Sequence, residues 1–252
     1  MFRFFVLFLF LLLAGCQSIV IPDNFEYKEI VTDTFTIASW QKISDNKGTV
    51  KVYIEGDGAS FDAYGRPTKD PTPRGKMIRE LAFGDYSSNV VYLARPCQFV
   101  MSDICSVRHW TTARFSFEVI DSMYEAIKEI AKNREVVLIG FSGGAQVSGL
   151  ISVLKRDLRV KKVITVAGNL DHLAWTQYHN IPSLSESLNL NDYKNEYFKI
   201  PQKHYVGDLD NVIPSGLVFD FVKDKNIDVE IVKKASHSEG WNAVYGEIWK
   251  EK

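Results

Sequence analysis

Ser142 stands where covalent chemistry is easiest to build. It lies in Gly140-Phe141-Ser142-Gly143-Gly144, directly behind the apolar run Glu135-Val136-Val137-Leu138-Ile139. An apolar strand that ends in G-x-S-x-G and runs into a helix makes a cramped turn that lifts the serine hydroxyl above a sheet. The positions two before and two after the serine must then have almost no side chain. The helix behind it carries Val147, Leu150, Ile151 and Leu154 at helical spacing. Its free N–H groups and positive dipole end face the reacting centre. The bland alternative is an ordinary strand–helix turn with a solvated serine. A catalytic serine also needs a base held by a third group, and the chain offers five histidines: His109, His172, His179, His204 and His237.

The elements that would position these groups follow from the apolar pattern. Residues 34–43 and 49–54 are apolar runs joined by Asp45-Asn46-Lys47-Gly48, which predicts an antiparallel hairpin. A helix is expected near 74–82, a buried strand at 89–94, and a long helix over 112–132. That helix has Phe115, Val119, Met123, Ile127 and Ile130 on one face. After the elbow helix come strands at 160–166, 202–206 and 228–232, and helices at 215–225 and 241–250. Strands alternating with helices predict an α/β domain, with a mostly parallel central sheet and helices on both faces. Residues 169–201 are polar and aromatic, with Trp175, Tyr178, Tyr193, Tyr197 and Phe198. They form either a small cap insertion over the site or a loop packing its own aromatics onto the body.

Two further loops complete a pattern. Tyr53-Ile54-Glu55-Gly56-Asp57-Gly58 follows the strand at 50–54, and Gly207-Asp208-Leu209-Asp210-Asn211-Val212-Ile213-Pro214 follows the strand at 202–206. With Ser142 and the loop Ala235-Ser236-His237-Ser238-Glu239-Gly240, their order along the chain resembles the α/β-hydrolase superfamily over about residues 35–250. Arg95-Pro96-Cys97-Gln98, Trp110-Thr111-Thr112-Ala113-Arg114 and Asn169-Leu170-Asp171-His172-Leu173-Ala174-Trp175 are similar to motifs of bacterial α/β-hydrolase lipoproteins.

The resemblance implies that the base lies in the loop between the last strand and the last helix, hence His237; His109 precedes the serine, which is the wrong order. It places the acid at Asp210, in a G-x-x-D-x-x-V/I-P loop. Asp208 is the near alternative and Asp171 a more distant one. Asp210 could instead serve turn chemistry ahead of Pro214. It also implies oxyanion donors on the backbone amides of Gly143 and Asp57, with Gly58 next. Glu55 stands where the family usually has His. Gly56-Asp57-Gly58 could also be a tight turn or a calcium-like cluster, though no further acidic spacing supports a metal. The chemistry implied is hydrolysis of a carboxylester, or a related thioester or small amide, through an acyl-enzyme, with no cofactor. The rival class is a non-catalytic envelope lipoprotein that keeps the scaffold to bind a ligand. The presence of every triad member favours the enzyme.

The N-terminal residues bear on location. Met1-Phe2-Arg3 precedes ten apolar residues and then Ala14-Gly15-Cys16, a secretory signal too short to span a membrane. Leu13-Ala14-Gly15-Cys16 resembles a bacterial lipobox, which implies cleavage before Cys16 and acylation of that cysteine. Gln17 then suggests the outer membrane of a Gram-negative envelope. Residues 1–15 are thus read as signal peptide, 16–34 as tether and 35–252 as the catalytic domain. Cys97 and Cys105 remain, an even number in an oxidising space, and are expected to form a disulfide. So short a loop gives roughly 2.6 kcal/mol by chain-entropy arithmetic. A formal net charge of −1 without a clustered basic stripe argues against a nucleic-acid partner.

Overall fold

The computed structural model describes residues 20–251; the expected signal peptide and the expected lipidation site Cys16 lie outside the described residues. One eight-stranded sheet is built from β1 (Glu26–Val31), β2 (Thr36–Ile43), β3 (Val50–Ile54), β4 (Asn89–Leu93), β5 (Val136–Phe141), β6 (Val160–Val166), β7 (Gln202–Gly207) and β8 (Asp228–Val232). Their spatial order is β1-β2-β4-β3-β5-β6-β7-β8. From β4 to β8 every neighbouring pair is parallel, while β2 is antiparallel to both β1 and β4.

Two expectations are corrected here. No hairpin joins residues 34–43 to 49–54, because β4 lies between them. All five residues of β3 are buried. Such a strand belongs between two other apolar strands, and β4 and β5 supply them; β2, with a partly exposed end, is left nearer the edge. The chain also joins the sheet before residue 35, within the stretch 16–34 expected to be a tether. Residues 26–31 pair with β2 as an edge strand, and every one but Ile30 is exposed. One buried residue in six leaves almost no apolar pattern to read.

Helices cover both faces. Along β5, Val136 and Leu138 join one apolar cluster and Val137 and Ile139 the other, as the two-residue period of a strand requires. The first cluster lies under α2 (Phe117–Ala131) and α3 (Gly144–Leu154), and the second under α1 (Met77–Gly84). Val119, Met123 and Ile127 of α2 are fully buried, each worth about 1.5–3 kcal/mol against exposure. The insertion at 169–201 contains α4 (His172–Tyr178) and the single turn α5 (Lys194–Tyr197). The other helices are α6 (Ser215–Phe221) and α7 (Tyr245–Ile248). Within the insertion Tyr197 is fully buried, and Tyr193 and Phe198 pack on the first cluster. Most of its aromatics therefore serve the body. A disulfide joins Cys97 to Cys105. No helix among the described residues is long and apolar enough to cross a membrane.

Candidate active site

Because β3 to β8 all run in one direction, the loops that follow them gather at one edge of the sheet, where α/β folds bind ligands. All six of these loops converge on a cleft of about 550 Å3 lined by Asp57, Phe61, Arg114, Ser142, Trp175 and His237, among others.

The turn after β5 has the geometry its sequence demands. Ser142 sits at φ 52°, a left-handed conformation that costs a non-glycine residue energy. A Cβ on Gly140 would meet the Gly144 carbonyl oxygen at 2.4 Å, and one on Gly144 would meet the Ile54 carbonyl oxygen at 2.4 Å. Strand and helix touch backbone to backbone, so neither position tolerates a side chain. The strained serine is held by its amide, which donates to the Val166 carbonyl.

His237, in the loop after β8, lies over it. Nε2 is 3.1 Å from Ser142 Oγ, and Nδ1 is 3.0 Å from Asp210 Oδ2. A carboxylate only accepts, so Nδ1 carries the proton and Nε2 is left to accept from the serine hydroxyl. The Asp210 side chain is fully buried. Its other oxygen accepts the amides of Val212 and Ile213, each at 2.8 Å, which fixes the carboxylate. Trp241 Nε1 donates to the carbonyls of Ser236 and His237 and pins the histidine loop.

The competing residues are placed elsewhere. Asp208 accepts the Lys234 amide, and Asp171 caps α4 through the amides of Leu173 and Ala174. His204 is wholly buried between Thr165 and Gln202, where burial pushes its pKa down to about 3. His109 accepts from the Ser106 amide, His172 stacks on Phe115, and His179 contacts the Val212 carbonyl.

The loop after β3 is braced by charge. Asp57 Oδ1 accepts from Arg95 at 2.7 Å and Oδ2 from Arg114 at 2.6 Å. Burial pushes the Asp57 carboxyl up, but the Arg114 and Arg95 guanidiniums outweigh it and hold the carboxyl below its ordinary range. A carboxylate gripped by two cations is no calcium ligand. The clamp lies against the elbow, since a Cβ on Gly143 would fall 2.1 Å from Asp57 Oδ1. Gln98 Nε2 donates to the Gly56 carbonyl at 3.0 Å. That carbonyl belongs to the same trans peptide as the Asp57 N–H, so the bond sets which way the amide points. Glu55, in the position where His is usual, accepts from the Tyr92 hydroxyl at 2.6 Å and from the Gly56 amide at 2.8 Å. Burial raises its carboxyl above the ordinary value, and these two bonds offset part of the rise.

Arg95, Gln98 and Arg114 were legible only as members of short motifs without a role. Arg95 and Gln98 flank the disulfide half Cys97, and Arg114 spans from the Asp57 carboxylate to the rings of Phe61 and Trp175.

Comparison with known proteins agrees with this architecture. Among curated proteins none matches the chain significantly. An α-β serine hydrolase homologue from Coxiella burnetii is 16% identical, with 89% of this chain and 94% of that one covered at a TM-score of 0.53. The serine hydrolase CCSP0084 from Cycloclasticus zankles is 12% identical, with 89% and 96% covered at a TM-score of 0.63. XC6422 from Xanthomonas campestris, described as an a/b serine hydrolase without lid, is 13% identical, with 90% and 91% covered at 0.51. At these identities the likeness speaks for the α/β-hydrolase fold. The sequence profile "Serine hydrolase (FSH1)" matches residues 91–236, which include Ser142 and Asp210 and stop one residue short of His237. On this match and this fold, the chain belongs to the serine hydrolase (FSH1) family.

Proposed function

We propose that this serine hydrolase cleaves a carboxylester of modest size through an acyl-enzyme on Ser142. The observation that carries the reading is the unbroken chain of contacts Ser142–His237–Asp210 at the floor of the cleft. Ser142 Oγ attacks the acyl carbon while His237 Nε2 takes its proton. Asp210 holds the imidazole in the tautomer that allows this and stabilises the cation formed. The amides of Gly143 and Asp57 receive the oxyanion, the second kept in place by Gln98 and the two arginines. His237 then returns the proton to the leaving alkoxide, and water, activated by the same imidazole, clears the acyl group.

A small ester is favoured over a polymer or long triglyceride by the cleft, whose 550 Å3 lies in the range of small-ligand sites. We also propose that the protein is an envelope lipoprotein, processed before Cys16 and acylated there; the lipobox-like Leu13-Ala14-Gly15-Cys16 supports this. The test of the chemistry is turnover of p-nitrophenyl esters of rising acyl length, with p-nitroanilide and thioester counterparts. Short esters should be turned over fastest, and Ser142→Ala should abolish it. A folded protein inert toward every ester, yet active on an anilide or thioester, would overturn the ester assignment.

A further inference from the structure

Besides His237, five titratable residues line the cleft: the acids Glu55, Asp57 and Asp62, and the bases Arg74 and Arg114. Every oxygen of the acids is engaged. Glu55 accepts from the Gly56 amide and the Tyr92 hydroxyl, Asp57 from Arg95 and Arg114, and Asp62 from Arg66 and the amides of Tyr64 and Arg66. Each acid also has an arginine behind it. Arg95 is 2.7 Å from Asp57, Arg66 is 2.7 Å from Asp62, and Arg79 acts on Glu55 through space. Asp57 thus stands between two guanidiniums, which leaves one positive charge over. Arg74 is exposed and has no ion pair among the described residues.

The donors of Arg114 are unequally used. Nε donates to the Thr111 carbonyl and Nη1 to Asp57 Oδ2. Nη2 has no partner among the described residues, although the residue is only 4% exposed, and it is not sealed off from solvent. The guanidinium lies 5.6 Å from the Phe61 ring and 6.0 Å from the Trp175 ring, both walls of the cleft. Asn169 repeats the pattern. It is 5% exposed, lines the cleft, and its amide donates to the Ser142 carbonyl, yet its carboxamide has no partner among the described residues. On the same walls, Trp175 Nε1 and Ser60 Oγ both donate to backbone carbonyls. Nearly buried donors normally find an acceptor, because leaving them open is costly.

We infer that the ester attacked by Ser142 carries a carboxylate, received by Arg114 and Arg74 and held also by the Asn169 carboxamide. The inference rests on the ester reading above for its reaction, and on these open donors for its subsite. A guanidinium offers a carboxylate charge-assisted hydrogen bonds, roughly twice as strong as neutral ones. The reaction at Ser142 is unchanged. The carboxylate belongs to either the acyl or the alcohol half of the ester, and substrates separate the two.

Matched pairs test this. In p-nitrophenyl hydrogen glutarate against p-nitrophenyl hexanoate, the carboxylate is on the acyl half. In para-carboxyphenyl butanoate against para-carbamoylphenyl butanoate, it is on the alcohol half. In one pair kcat/KM should favour the anion at least about tenfold, and high salt should narrow the gap. Arg114→Gln should bring the ratio close to unity, and Arg74→Gln should lower it about threefold. A residue that only braces the Asp57 loop would slow both members of a pair alike and leave the ratio where it was. No preference in either pair overturns the inference, as does a preference that survives both substitutions. If Arg114→Gln does not fold, Arg74→Gln and Asn169→Leu read the same ratio, and a preference that neither lowers overturns the inference. Calorimetric binding of glutarate against glutaramide needs no turnover, and glutarate should bind more tightly in wild type than in Arg74→Gln. If every ester is inert while glutarate binds in this way, the ester reading fails and the subsite stands. If neutral esters are turned over with no preference for the carboxylate, the subsite fails and the ester reading stands.

Discussion

The two halves of the sheet build the site in different ways. The half from β5 to β8 supplies Ser142, Asp210 and His237, each on the loop directly after a parallel strand, and joins them by two side-chain contacts. The half from β1 to β3 supplies the loop at 55–58, and that loop is held by residues from three separate segments: Tyr92, Arg95 with Gln98, and Arg114. The proposed reactive groups sit on a regular scaffold; the proposed backbone donor sits on a loop held by a buried charged brace. A side chain can be aimed by one neighbour, whereas an amide is aimed only by fixing the whole peptide.

The largest effects are expected in the first half. Ser142→Ala and His237→Ala should each lower ester turnover by roughly three or more orders of magnitude, and the double variant should be little worse, because the pair acts as a unit. Asp210→Asn should cost about 1,000-fold by favouring the wrong tautomer, while Asp208→Asn stays within a few fold. Steady-state kinetics of the five variants check this. A severe Asp208→Asn beside a mild Asp210→Asn would move the acid.

In the second half, stability and catalysis should separate. Arg95→Met leaves the Asp57 carboxylate with one cation instead of two and should cost about 3 kcal/mol in denaturant unfolding. The pH dependence carries a definite sign. The folded Asp57 carboxyl lies below its ordinary value. The clamp therefore contributes fully above the unfolded value, near about pH 4, and its contribution is lost as pH falls through the folded value. Asp57→Asn should flatten that acid limb of the melting curve; an unchanged limb would show that the clamp carries no linkage. Gln98→Leu touches no reacting group, so kcat should fall about tenfold with KM near wild type, and Gln98→Asn should not restore it because its amide falls short. A rise in KM alone would show that Gln98 shapes the cleft instead of the donor. Reduction of Cys97–Cys105 should be the mildest change, roughly 2.6 kcal/mol at most.

The same division explains what the sequence disclosed. The elbow, the acid loop and the histidine loop are contiguous motifs behind apolar strands, and the insertion of β4 between β2 and β3 does not alter them. Strand order depends on pairings between distant segments, so Asp45-Asn46-Lys47-Gly48 looked like a hairpin turn though its flanking strands are not neighbours. β1 buries only Ile30 and had no period to find. The Asp57 clamp draws on positions 38 and 57 residues away, and nothing local to Asp57 points to Arg95 or Arg114. The aromatics of 169–201 divide by destination: Tyr197 enters the core, while Trp175 lines the cleft and donates to the Val212 carbonyl.

Labelling with a fluorophosphonate, followed by peptide mapping, tests the central claim most directly. One adduct per chain is expected, on the peptide that contains Ser142, with the labelling rate falling steeply in His237→Ala although the serine is still present. An adduct on another serine, or no adduct on folded protein, would contradict a nucleophile at Ser142 activated by His237.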